Sequence, residues 1–195
     1  MNKYLKKEER KEQIKQAAIE LICERGYRNT HIQDILEKIQ YSKGGFYNCY
    51  QSKEELFIDV LEDGMKFRFE RIKKFESEQG SLDRRSFIIE SLLDKLLDYA
   101  VHKKLYTILV TEMRGNEYLM NIYQKSYRGS RSSFIAFCQK EGLEEYIRMS
   151  SPEFELFMSS IIISADLFHL HENKKYRAFL KELLTAYLEK HNYFE

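Results

Sequence analysis

Residues 30–56 read THIQDILEKIQYSKGGFYNCYQSKEEL. The stretch parses as a short helix, a turn, a second short helix, another turn and the start of a third helix. Thr30 followed three residues later by Gln33 makes a capping box, in which the hydroxyl accepts from an orphan amide and the Gln side chain reaches back. Ile32, Ile35, Leu36 and Ile39 then fall at helical spacing on one apolar face. Ser42 caps a second helix over residues 43–49, with Phe46 inward, Tyr50 just beyond, and Ser42, Lys43, Gly45 and Asn48 outward. Ser52 with Glu55 forms a second capping box that opens a long helix at Lys53.

Two short helices joined by a tight turn are the helix-turn-helix unit, and the second of them enters the DNA major groove. The outer face here carries suitable groups. Lys43 and Lys53 can meet phosphates or base acceptors, Asn48 can donate and accept, and Tyr47 sets a hydroxyl on a rigid ring. Two glycines in so short a helix cost about 1 kcal/mol each against Ala. Close approach to a partner's backbone accounts for them; a helix chosen for stability alone does not. The competing reading is a purely structural pair of short capped helices, and pattern alone leaves both open.

The combined order Gly26-Tyr27, Thr30, Ile35, Ser42-Lys43-Gly44, Tyr47, then Ser52 through Phe57 resembles the tetracycline-repressor (TetR) family of bacterial regulators. The likeness covers about residues 8–60; beyond it, only length and helical character match. The chain departs from the family pattern at Leu36 and Ile39, where Ala is common, at Gln40, where Gly is common, and at Gly45, where Thr or a similar residue is common. Gln40 thus falls at a turn position that favours positive φ. Gly45 removes a side chain that often reads a base. The resemblance implies phosphate contacts by Thr30, Tyr47, Asn48 and Lys53. It implies base reading at Tyr41, Ser42, Lys43 and Gly44, the last by backbone approach.

Composition agrees with a helical protein. The 195 residues are 43% hydrophobic and 32% charged, with one Pro and eight Gly, too few turn formers for an all-β fold. Net charge is +1, but residues 1–53 hold eleven Lys/Arg against seven Asp/Glu, while the remainder holds 21 against 24. A basic head suits DNA, because phosphate contacts supply most non-specific affinity. Cys23, Cys49 and Cys138 are scattered and odd in number, a reduced, cytoplasmic profile rather than a disulfide framework. Cys49 is the better placed of the three for redox chemistry. No run approaches the roughly 20 apolar residues of a membrane span.

The expected architecture is all-α, with a DNA-binding head over residues 1–53 and a helical ligand-binding and dimerisation body over 54–195. Lys3, Lys6 and Lys7 form a polar N-terminal arm. The first helix, 8–25, carries Ile14, Ala17, Ala18, Leu21 and Ile22 and stops at Gly26. From Lys53 to about Glu76 a long helix lines up Leu56, Phe57, Val60, Leu61, Met65, Arg68 and Ile72. A turn at 76–83 contains Gly80 and Ser81. Further helices are expected over 84–101 and 105–113, separated near His102–Lys104, and over 117–140. Gly129, Ser130, Ser132 and Ser133 mark a kink within the last of these. Ser150 with Glu153 caps a helix from Pro152 to about His171, and Lys174 to about His191 is the last.

Residues 154–170 are apolar nearly all round, so more than one face must be covered. The resemblance implies that the last two helices form a dimer interface; Phe157, Ser160, Ile161, Ser164, Phe168, Phe179 and Leu183 are its candidates. It also implies a small-molecule inducer pocket in the body. The aromatic and soft side chains Tyr99, Tyr106, Met113, Tyr123, Tyr127, Phe134, Phe137, Phe157 and Phe168 are candidates for its lining, and they favour an apolar or aromatic ligand. No phosphate loop, H-E-x-x-H or G-x-S-x-G is present. His169 and His171, two apart, point to different faces, so neither an enzyme nor a metal or cofactor is expected. The resemblance implies a ligand-responsive regulator, most often a repressor, that binds double-stranded operator DNA as a homodimer. The rival is a helical small-molecule sensor or carrier without DNA binding.

Overall fold

The computed structural model describes residues 7–78 and 82–193. Lys3 and Lys6 of the expected arm, and Gly80 and Ser81 of the expected turn, lie outside the described residues. Among those described, ten α-helices and no strand occur. They are α1 (Lys7–Arg25), α2 (Ile32–Ile39), α3 (Lys43–Tyr47), α4 (Lys53–Glu78) and α5 (Arg84–Leu97), followed by α6 (Val101–Met113), α7 (Glu117–Lys140), α8 (Glu144–Met149), α9 (Pro152–Leu167) and α10 (Lys174–Lys190).

The chain folds into two compact units. The first takes its residues from Met1–Gly64 and Lys104–Arg128. By packing, therefore, residues 54–64 and 104–128 group with the head. Its core joins Ile14, Ala18 and Ile22 of α1 to Ile35 and Leu36 of α2, Phe46 of α3 and Phe57 of α4, with Leu105 and Leu109 of α6. The second unit takes Met65–Lys103 and Gly129–Glu195. There Ile88, Leu92 and Leu96 of α5 pack with Met158 and Ala165 of α9 and with Leu180, Leu184 and Leu188 of α10. Each set repeats at three and four residues, the spacing that puts side chains on one helix face.

Helix ends differ from the sequence reading in register. Thr30 does not cap α2. Its hydroxyl donates 2.8 Å to the Gly26 carbonyl, closing the turn after α1. His31 is the N-cap, and the Asp34 carboxylate accepts from its N–H at 2.7 Å. Ser52 accepts from the Glu55 N–H at 3.1 Å, but the Glu55 carboxylate reaches the Gln51 N–H rather than that of Ser52. Likewise Ser151, not Ser150, caps α9 by accepting from Phe154 N–H, because the Ser150 hydroxyl is committed to the Tyr146 carbonyl. Gln40 does take the left-handed conformation, φ 56°, and closes α2.

Four element bounds also change. The second short helix ends at Tyr47 rather than Cys49. The break between α5 and α6 falls at residues 98–100, where Asp98 turns extended and its carbonyl accepts from the Lys103 amine. Helix α7 is unbroken from Glu117 to Lys140, through Gly129. Helix α9 stops at Leu167 because His169 adopts φ 53° and the Leu170 N–H bonds back to the Ala165 carbonyl.

Candidate nucleic-acid interface and ligand cavity

Helix α3 is anchored from one side only. Phe46 is fully buried and meets Tyr50 at 5.8 Å between ring centroids. Tyr50 donates 2.7 Å to Asp59 of α4, while Lys11 of α1 lies 3.5 Å from the same carboxylate. Burial, then Asp59, raises the Tyr50 phenol above its ordinary pKa, so it stays a donor. Ser42 accepts from Gly45 N–H at 3.3 Å and fixes the first turn. The opposite face is open: Ser42, Lys43, Gly44, Tyr47 and Asn48 are all exposed.

The glycines have no internal cause. A Cβ on Gly44 meets nothing within 4 Å, and one on Gly45 makes only an ordinary 3.6 Å contact with Ser42 Oγ. Neither has a positive φ. Their helix cost, about 1 kcal/mol each, is therefore not recovered inside the chain.

Two expected contact residues serve other ends. Thr30 is fully buried, so it has no surface for a phosphate. Lys53 turns inward: its ammonium donates to the carbonyls of Tyr27 (2.9 Å) and Thr30 (3.0 Å) and sits 4.0 Å from the Tyr27 ring centroid. Burial lowers its pKa. Tyr27 in turn stacks on Phe57 at 4.9 Å and donates to Glu54. Thr30 and Lys53 thus pin the turn between α1 and α2 onto the start of α4. Tyr41 is half-buried, and its hydroxyl donates to Gln13 of α1.

In the second unit a small cavity of about 30 Å³ opens between α5, α7, α8 and α9. Leu92, Phe134, Met149, Phe154 and Met158 form its apolar walls. Lys95, Tyr146, Ser150 and Glu155 supply polar groups. Of the nine residues expected to line a pocket, Phe134 lines this one. Tyr106, Met113 and Tyr123 pack in the first unit's core instead. Tyr127 also belongs to the first unit and is 37% exposed. Phe137 stacks on Phe69 at 4.6 Å, and Phe157 packs on the second unit's core. Tyr99 and Phe168 stand 86% and 72% exposed, since the first lies in the break after α5 and the second caps the end of α9.

A polar cluster surrounds the cavity. Arg68 donates 2.8 Å to the Ser91 carbonyl and pairs with Asp94 at 3.3 Å; burial lowers its pKa. Arg71 binds the other oxygen of Asp94 at 2.6 Å. Tyr146 bonds to the Ser91 hydroxyl. By area Lys95 is only partly covered, yet protein encloses its ammonium, and that desolvation, then nearby Arg68, pulls its pKa down to about 8. Glu155 is pushed upward by burial, with Lys95 opposing.

On the candidate dimer face, Ile161 is buried against its own unit's core and is not available to a partner. Ser160, Phe168 and Phe179 are exposed, while Phe157, Ser164 and Leu183 are half-buried. The sequence reading missed Leu156 and Leu167 of α9, which stand 69% and 59% exposed. Leu156, Ser160, Ile163 and Leu167 make one stripe along the helix.

Residues 14–60 match the family described as bacterial regulatory proteins, tetR family. The match places a tetR-family segment at residues 14–60. YerO of Bacillus subtilis, described as an uncharacterized HTH-type transcriptional regulator, is 24% identical over 145 residues, 71% of this chain and 50% of YerO. The chain spans about half the length of the curated relatives it matches. Among solved structures, Salmonella enterica GusR superposes with a TM-score of 0.63 at 17% identity, covering 96% of this chain and all of that one. A transcriptional regulator from Saccharomonospora viridis, solved in complex with choline, gives 0.56 at 19% identity over 93% of this chain and 96% of that one. At such identities the likeness is one of fold. Among the described residues no helix is long and apolar enough to cross a membrane, and no His/Cys/Asp/Glu group could hold a metal.

Proposed function

We propose that this chain is a tetR-family transcriptional regulator that reads operator DNA with the exposed face of α3 and responds to a small molecule held in its second unit. The observation that carries the reading is the one-sided anchoring of α3. Phe46 ties it to the core while Lys43, Gly44, Tyr47 and Asn48 face outward, over two glycines that nothing inside the chain requires. In this reading Lys43 and Asn48 meet base edges or phosphates, and Tyr47 steadies the phosphate backbone. Gly44 lets the duplex approach, and Ser42 and Tyr41 flank the contact. Thr30 and Lys53 act from behind, by holding the turn that sets the angle of α2 and α3.

Operator reading by two heads needs a dimer, because paired half-sites mirror a two-fold axis. The stripe Leu156, Ser160, Ile163 and Leu167 on α9, with Phe179 and Leu183 on α10, supports a second copy of this chain as its cover. Ligand and DNA then compete by linkage, with the ligand favouring a geometry that binds operator less well.

A binding titration tests the reading. The full chain is mixed with the fragment upstream of its own gene and with unrelated DNA at two salt concentrations. The expected result is selective binding that weakens with salt and falls at least tenfold in Lys43→Ala, with Tyr47→Ala weaker on all sequences alike. Equal, weak binding to every fragment in a genome-wide selection overturns it.

A further inference from the structure

The second unit carries a cation, Lys95, that feels the Glu155 carboxylate across the cavity but forms no ion pair with it. Lys95 lines the cavity and makes no hydrogen bond or ion pair among the described residues. Its surroundings do not supply one. Five cationic side chains, Arg68, Arg71, Lys95, Lys103 and Arg131, cluster with four carboxylates, Glu78, Asp94, Asp98 and Glu155. Asp94 is shared by Arg68 and Arg71, and Asp98 is taken by Lys103. Glu155 stands 3.7 Å from Arg131 Nε, too far for a hydrogen bond, and its Oε2 and the Arg131 Nε are both buried without a partner. The cavity wall therefore carries the Lys95 ammonium and the Glu155 carboxylate, and Arg131 stands behind it, donating to the Ser150 carbonyl and ion-paired with Glu155; with Arg131 counted, the group is one negative charge short of neutral. Buried charges left in this condition are costly unless paired.

We propose that this cavity is the head-group site for a monocarboxylate ligand, whose carboxylate pairs with Lys95 beside Arg131 while its apolar body lies against Phe134, Phe154 and the two methionines. The inference rests on the small-molecule reading above and names the ligand's chemistry. The cavity's size fits the head: about 30 Å³ is room for roughly two water molecules, the space a carboxylate group fills. The body is received by displacement. Met149 and Met158, unbranched and with several rotatable bonds, are the side chains best able to give way. The Saccharomonospora viridis structure holds choline, a cation; the charge surplus here selects the opposite sign.

Direct binding to the full chain tests this without DNA. Butyrate and benzoate are compared with butyramide, benzamide and benzylamine by calorimetry and by the shift of the thermal midpoint. The acids are expected to bind and raise the midpoint, with each amide and the amine at least tenfold weaker. Lys95→Met should weaken benzoate at least tenfold. Glu155→Gln, which removes the competing negative charge, should tighten it. Opposite signs from two variants of one cavity cannot come from general damage to the fold. The proposal is overturned if neither acid binds below 10 mM (a roughly 3 kcal/mol threshold), if the amides match the acids, or if Lys95→Met binds benzoate unchanged. Failure of the operator titration with carboxylate binding intact would leave this site standing, and operator binding without carboxylate binding would remove it alone.

Discussion

Replacing Lys95 by Met should make the ligand-free protein more stable, and the gain should depend on pH in a defined direction. Enclosure lowers the Lys95 pKa from 10.5 to about 8. At about 1.4 kcal/mol per unit, that is roughly 3 kcal/mol of penalty for holding the ammonium in the fold. The sign follows from proton counting. Between pH 8 and 10.5 the unfolded chain binds the Lys95 proton and the folded chain does not, so stability of the natural protein rises with pH through that window. Below pH 8 the full penalty stands, and above 10.5 it has gone. Methionine has a similar length and no charge, so its variant shows no such term. The difference between the two proteins should be largest at pH 7 and shrink by about 3 kcal/mol by pH 10.5. Groups that do not feel Lys95 titrate alike in both and cancel; for Lys103, Cys138 and Glu155 its charge is a lesser cause of the shift than burial. For a chain of this size the neutral-pH gain corresponds to a midpoint shift of about 6–12 °C. Urea unfolding followed by far-ultraviolet circular dichroism measures it, since the chain has no Trp to report. If two transitions are seen, the one that moves belongs to the second unit. A gap that stays constant with pH, or a variant less stable at pH 7, would refute the claim that Lys95 is held at a cost.

Four further outcomes separate contacts from braces. Phe46→Ala should destabilise the first unit by about 3–5 kcal/mol, the cost of emptying a fully buried aromatic site, read from the same unfolding curves. Thr30→Val keeps the shape and loses the bond to Gly26, costing about 1 kcal/mol, and should leave the salt dependence of DNA binding unchanged; a reduced slope would restore Thr30 as a phosphate contact. Lys43→Ala should leave the thermal midpoint within 1 °C and, if Lys43 meets a phosphate, reduce the salt slope of operator binding by about one. Leu167→Glu with Phe179→Glu should shift sedimentation from dimer to monomer with helicity unchanged, since both side chains are exposed in the single chain.

The helices themselves were legible because their cores repeat at three and four residues: Ile14, Ala18 and Ile22 in α1, and Leu180, Leu184 and Leu188 in α10, are all buried as the spacing requires. Cap positions slipped by one wherever two polar candidates adjoin. Thr30 and His31, or Ser150 and Ser151, are equivalent to a pattern, and only the competing bonds of Thr30 to Gly26 and Ser150 to Tyr146 separate them. The exposed face of α3 was readable for the same reason as the cores, being the complement of Phe46. The cavity was not, because its polar members come from α5, α8 and α9 and meet only through packing. One signal was present. Lys95 interrupts the run SLLDKLLDY, where Leu92, Leu93, Leu96 and Leu97 are all buried. Arg68 similarly stood in line with Met65 and Ile72, and it is enclosed as that alignment requires.

A buried cation is not in itself a mark of function, and the chain supplies its own control. Lys15 in α1 is 5% exposed, more covered by area than Lys95. Burial lowers its pKa too, but bonds to Asp63 and Glu12 outweigh the penalty and leave it raised. Arg68 is answered in part, by Asp94 and the Ser91 carbonyl, while its Nε is buried without a partner and burial still lowers its pKa. Lys15 is the solved problem of folding, with the compensation built in. Among the described residues Lys95 has the through-space pull of Glu155 but no bond, just as Gly44 and Gly45 have no contact that recovers their helix cost. Natural sequences break local rules chiefly where something other than stability is served. The open face of α3 and the wall of the cavity both carry such positions, and the two proposals give each a negatively charged partner: the DNA backbone at the first, a carboxylate at the second.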